Sequence, residues 1–248
     1  MASTALPASP LTLQATLRWS VVERMVNRLD PTTILEIGCG MGAAGARLAE
    51  KAEYTGLEPD PTSFAIARER ITARGGSVLN GFTSQYDLPQ ADLVCAFEVL
   101  EHIEDDSGAL AEWIGLVRPG GHLLLSVPAH PARFGPSDVR AGHFRRYAPT
   151  ALAALLRSTG FVDIAHRLYG FPLGYALEAV RNVNDRRFLE RSERTVAENT
   201  AASGRTRQPT TRALGVAIDV ATAPFRFLQD LTPAHGTGLV IVAAKPVT

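Results

Sequence analysis

The sequence predicts an α/β fold: a doubly wound, mainly parallel sheet of seven strands with helices on both faces. Three observations predict it. Short apolar runs that suit strands covered on both sides alternate with longer amphipathic stretches. A glycine-rich turn, ILEIGCGMGAAG from Ile34 to Gly45, joins the first of those runs to the next helical stretch. The chain has 248 residues, 46% of them hydrophobic, which is enough for one such domain plus an insertion.

The elements follow in order. Leu11 to Leu29 reads as an amphipathic helix with Leu13, Leu17, Val21 and Met25 on one face. Ile34, Leu35 and Ile37 suit a central strand, and Gly38, Gly40 and Gly42 let the backbone turn sharply and approach a ligand with no Cβ in the way. A helix from Gly42 to Lys51 then turns its free N–H groups toward that ligand. The second strand, TGLE after Tyr54, ends at Glu58, and Pro61 to Arg74 is the helix behind it, with proline at its start. Val78 to Phe82 and Asp92 to Phe97 are strands three and four. Gly108 to Val117 is a helix ended by RPGG, and His122 to Val127 is strand five. Pro149 to Ser158 is a helix stopped by Gly160, Phe161 to Leu168 strand six, and Gly238 to Ala244 strand seven.

Residues 170–237, between strands six and seven, are far longer than a common connection. They are expected to hold two helices, one with Leu173, Leu177 and Val180 on an apolar face, the other with Leu214, Ile218, Ala221, Phe225 and Leu228 and a kink at Pro224. A flexible linker spans about 192–212. This insertion is read as a lid over the acceptor site, with a cover for the sheet or a homodimer contact as the alternatives. Residues 1–10 read as a flexible tail, without the basic start and apolar core of a signal peptide. No run reaches 18 apolar residues, so no transmembrane segment is expected, and the whole chain reads as a single cytoplasmic domain.

The glycines alone leave the ligand open, because Gly40, Gly42 and Gly45 also fit the dinucleotide pattern GxGxxG. Glu36 discriminates. A carboxylate two residues before the first glycine would repel a pyrophosphate and welcome a cationic amino-acid moiety. Glu58 sits where ribose hydroxyls are held, which supports a nucleoside without choosing between cofactors.

EIGCGMG, GLEPD, ADLVCAFEVLEHI and VRPGGHLLLSVP, in this order over roughly Leu29 to Ser126, resemble the motifs of class I S-adenosylmethionine-dependent methyltransferases. The resemblance implies a Rossmann-like fold, S-adenosylmethionine as cofactor, and cofactor contacts from Glu36, Gly38, Gly40 and Glu58. Cys39, Gly42, Pro59, Glu98 and Val99 lie in the same loops and join that set. Family members carry an acid after strand three for the adenine amino group. Here the segment is NGFTSQYDLP, and Thr83 or Ser84 stands in its place. AGHFRRYAPTALAALLRSTGF also resembles a segment of one broad subgroup that is mixed in substrate.

Ligands of open α/β sheets bind beyond the carboxyl ends of the strands, so the loops after strands four and five hold the reacting groups. His143 and His130 are the catalytic candidates, as bases for an acceptor that must lose a proton. His102, Arg140, Arg145, Arg146 and Tyr147 are the acceptor-binding candidates, although a histidine in this motif more often packs than takes a proton, and the arginines can pair with Asp138 or face solvent. Glu101 can cap the following helix or act.

The acceptor expected is a small molecule, methylated at oxygen, with nitrogen or carbon of a metabolite or peptide as alternatives. No metal is expected, since Cys39 and Cys95 lack ligand spacing and VPAH stands where an Asp-Asn pair would hold magnesium. With 25 basic against 25 acidic residues, nothing argues for nucleic acid. Two other classes remain: an NAD(P)-dependent oxidoreductase, opposed by Glu36 and by the lack of a Tyr-x-x-x-Lys pair, and a non-catalytic cofactor-binding partner subunit.

Overall fold

The structure, a computed structural model, describes residues 10–190 and 212–247. The predicted tail and linker therefore fall almost wholly outside the described residues. The strands are β1 (Thr33–Ile37), β2 (Glu53–Leu57), β3 (Ser77–Leu79), β4 (Ala91–Phe97), β5 (Val117–Pro128), β6 (Val162–Gly170) and β7 (Gly236–Ala244). They form one sheet in the order β3-β2-β1-β4-β5-β7-β6. The first five run parallel, and β7 inserts antiparallel between β5 and β6, as Leu124 beside Val242 and His166 beside Ile241 show. The mainly parallel sheet expected from the alternation is present.

Strand alternation sorts the core into two layers. Leu35, Ile37, Val94, Ala96, Leu123, Leu125, Leu239 and Ile241 point to one face. There they meet Leu110 and Trp113 of α4 (Asp106–Leu116) and Leu152 and Leu156 of α6 (Pro149–Ser158). Ile34, Leu93, Cys95, Leu124 and Val240 point to the other face. They meet Leu17, Val21, Val22 and Val26 of α1 (Leu13–Leu29), Ala46 and Leu48 of α2 (Gly45–Leu48), and Ala67 and Ile71 of α3 (Pro61–Thr72). Side chains of period two on a sheet covered twice give continuous apolar strands.

Local chemistry sets the helix starts. Thr12 accepts from the Ala15 amide, Asp60 from Ser63, with Pro61 behind it, and Asp105 from Gly108. The helix expected from Gly42 to Lys51 is shorter. It is the single turn α2, because Gly42 (φ +76°) packs where a Cβ would lie 2.9 Å from the Ala67 backbone.

The insertion holds two helices, α7 (Leu173–Leu189) and α8 (Arg212–Leu231), the latter continuing through Pro224. Their inward faces differ from the apolar ones expected. On α7 the buried residues are Gly174, Glu178 and Asp185, while Val180 and Val183 are exposed. On α8 they are Thr222 and Gln229, while Val216, Val220, Phe227 and Leu231 face outward; of the predicted face, Ile218 and Phe225 are half-buried and Leu214 and Leu228 exposed. Polar partners account for the inversion. Glu178 and Asp185 pair with arginines of the loop after β5, which contains α5 (Pro136–Ala141). Gln229 receives the Gly170 amide and donates to the Leu17 carbonyl and the Ser20 hydroxyl, clamping α8 to α1.

Candidate active site

At the carboxyl ends of β1, β2, β4 and β5 lies a cavity of about 1290 Å³. Its floor is the β1–α2 turn. Gly38 and Gly40 line it with φ of +70° and +55°, a region most side chains avoid. A Cβ on Gly38 would lie 2.7 Å from a Val99 methyl, whereas one on Gly40 would meet nothing within 4 Å. The open space above Gly40 is a cradle. Glu58, at the end of β2, accepts from the Gly40 amide at 2.8 Å and the Asp60 amide at 2.9 Å. Burial outweighs those bonds and raises its pKa. Pro59, Thr83, Ser84 and Val99 complete this end.

Glu98 follows β4 in a left-handed conformation, φ +58°. Its carboxylate receives Ser126 at 3.1 Å and Tyr169 at 3.2 Å, and lies 3.4 Å from the Arg18 guanidinium. Arg18 lines the cavity with Thr12 and Gln14, all from the N-terminal helix or its cap. The sequence reading missed them, although an arginine between Leu17 and Val21 on an inward-facing helix was a signal.

Beyond Val99 the wall passes to His102, Asp138, His143, Arg146, Glu178 and Arg181. His143 Nδ1 lies 2.9 Å from Asp138 Oδ1. Arg146 grips the same carboxylate at 2.8 and 2.7 Å and reaches Glu178 at 3.0 Å. Burial pushes the Asp138 pKa up, but the bonds from His143 and Arg146 win and hold it at about 2. His102 packs edge-on to His143 with ring centroids 4.7 Å apart. Burial first, then His143, lowers its pKa to about 4, so it is neutral near pH 7. Behind both rings Glu101 is fully buried, and burial, with the Glu98 charge next, pushes its carboxyl well above the usual range.

Of the residues the sequence singled out, the structure brings Gly38, Gly40, Glu58, Pro59, Thr83, Ser84, Glu98, Val99, His102, His143 and Arg146 to one cavity. It leaves others outside the wall. Glu36 is buried with its carboxyl on the Tyr54 hydroxyl at 2.5 Å and is not part of the cavity lining. Cys39 packs in the core on the side of Tyr54, and Gly42 packs on α3. His130 has its Nε2 against the Gly236 carbonyl at 2.9 Å. Arg140 pairs with Asp185, Arg145 with Asp106, and the Tyr147 hydroxyl donates to Asp106. Glu178 and Arg181 were missed because the inward face of α7 was expected to be apolar.

Residues 35–123 match a family described as a methyltransferase domain. A probable S-adenosylmethionine-dependent methyltransferase of Mycolicibacterium smegmatis is 31% identical over 57% of this chain and 56% of its own length. A ubiquinone biosynthesis O-methyltransferase of Xanthomonas axonopodis pv. citri is 30% identical over 60% of this chain and 72% of its own. An O-methyltransferase of Penicillium expansum, cnsE, is 32% identical over 54% of each. The chain spans about half the length of several of the curated relatives it matches. Among solved structures, the YcgJ protein of Bacillus subtilis shares the fold at a TM-score of 0.58 and 13% identity, covering 92% of this chain and 99% of that one. Phosphoethanolamine N-methyltransferase 2 of Haemonchus contortus does so at 0.57 and 17%, covering 92% and 53%. Ordered motifs, sheet topology, glycine cradle and relatives agree: the chain belongs to the class I S-adenosylmethionine-dependent methyltransferases.

Proposed function

We propose that this protein transfers a methyl group from S-adenosylmethionine to a hydroxyl oxygen of a small-molecule acceptor. The observation that carries the reading is the Asp138–His143 pair in the wall of the cavity that the glycine cradle floors. Bound S-adenosylmethionine supplies an electrophilic methyl on sulfur for in-line displacement. The Gly38–Gly40 turn, Glu58 and Arg18 hold the donor, with Arg18 offering a cation to its carboxylate and Glu58 an acceptor to its ribose. Alignment of the two reactants contributes about 7–11 kcal/mol in favourable cases. His143 draws off the hydroxyl proton through Nε2, while Asp138 fixes the tautomer by accepting a hydrogen bond from Nδ1–H and stabilises the imidazolium that forms. The O-methyltransferases among the relatives support oxygen. The insertion acts as the acceptor's lid, with Glu178 and Arg181 of α7 completing the wall.

Two measurements test the reading. In titration calorimetry S-adenosylmethionine binds and NAD does not, and Gly40→Val loses donor affinity because a β-branched side chain at this φ is strained and fills the cradle. With a hydroxyl acceptor, His143→Ala lowers kcat by about 10²–10⁴-fold and leaves donor affinity unchanged. Saturable NAD binding without S-adenosylmethionine binding overturns the assignment, and unchanged turnover in His143→Ala removes the base.

A further inference from the structure

Glu101 is fully buried, and neither of its carboxylate oxygens has a hydrogen-bond partner. Nδ1 of His102, beside it, has none either. Orphaned buried polar atoms are costly, and three in one place call for something that satisfies them. Glu101, His102 and His143 each offer a ligand atom, all within 4.8 Å of one another, with Glu101 Oε1 at 3.9 Å from His143 Nε2. We propose that these three side chains form a site for a divalent transition-metal ion of the zinc class at the acceptor end of the cavity.

The donor set argues for that class. Two imidazole nitrogens and one carboxylate suit zinc and its first-row neighbours, whereas magnesium and calcium prefer oxygen throughout. At zinc–ligand lengths of about 2.0–2.2 Å the donors of a tetrahedral site lie roughly 3.4 Å apart, so the three side chains draw in by about 1 Å on binding. The surroundings are built for it. A metal-bound histidine has its other ring nitrogen fixed by a carboxylate, and His143 has Nδ1 on Asp138, itself held by Arg146. His102 and His143 both line the cavity, which places the three-ligand cluster at its wall.

The consequence rests on the methyltransferase reading above. His143 Nε2 cannot hold an ion and take a proton at once, so zinc inhibits transfer to a hydroxyl, and a chelator relieves the inhibition.

The full chain, stripped with chelator, is titrated with zinc by calorimetry and loaded with cobalt for visible spectroscopy. One equivalent of zinc binds, cobalt gives tetrahedral ligand-field bands, and His102→Ala and Glu101→Gln each weaken zinc by at least about tenfold. S-adenosylmethionine affinity, measured on the same samples, reports that each variant is folded. If either variant loses it, the other decides. Absence of one-to-one binding, or equal zinc affinity in a folded variant, overturns the site while leaving the methyltransferase reading intact. Activation by zinc overturns the competition with the base.

Discussion

Glu36 shows how a residue's place in a strand can override its place in a motif. Its position before the glycines pointed to the ligand, but the period of two along β1 turns it into the layer with Ile34 and Tyr54. Burial, partly offset by the Tyr54 hydroxyl, raises its pKa to about 7 from its ordinary 4.5. An acid with a raised pKa supports folding below about pH 4.5 and loses that contribution as the pH climbs through about 7. At 1.36 kcal/mol per pH unit the window is worth on the order of 3 kcal/mol as an upper bound. Urea unfolding at pH 4.5 and pH 8 should show the parent losing stability relative to Glu36→Gln over this interval. Parallel pH profiles for the two proteins would show that Glu36 ionises freely in the fold.

Strands, the glycine turn and the order of helices were legible at the scale of elements because burial on two faces leaves unbroken apolar runs. The gathering of Gly38, Gly40 and Glu58 at one end of the cavity was legible too, because they sit at fixed offsets from strand ends. The inward faces of α7 and α8 were not, because the layers beneath them are held by ion pairs and amide bonds that no apolar periodicity announces. Arg146, Arg133 and Glu178 illustrate this, as their contacts join segments far apart in the chain. Removing one partner of a buried pair costs about 3–5 kcal/mol, and Glu178→Ala should fall below that range because Arg146 keeps Asp138. It should also raise the acceptor KM while sparing donor affinity, with Glu178→Gln intermediate. An acceptor KM equal to the parent's would mean that α7 covers the cavity without touching its occupant.

Across the whole molecule the insertion is not separable from the donor end. Its helix α8 clamps α1 through Gln229 and through Asp230 to Arg24, and α1 carries Arg18 into the cavity. Gln229→Ala leaves the Gly170 amide short of an acceptor in the interior, at about 1–3 kcal/mol, while the Leu17 carbonyl keeps the Ser20 hydroxyl. It should lower the urea midpoint and weaken S-adenosylmethionine binding together. Loss of stability with donor affinity untouched would show that Arg18 is held without α8.

The placing of β7 between β5 and β6 also sets an order of events during synthesis. The slot between two neighbours stays open until residues 236–244 emerge from the ribosome, while Gln14, made first, waits for Thr237, which lies within 3.4 Å of it in the finished protein. A nascent chain stopped short of β7 has an unpaired edge on each side of the gap and an N-terminal helix without its C-terminal contacts. The cavity wall that Thr237 and Gly238 supply is thus the last part to be made, and the half-made sheet is the form most exposed to aggregation.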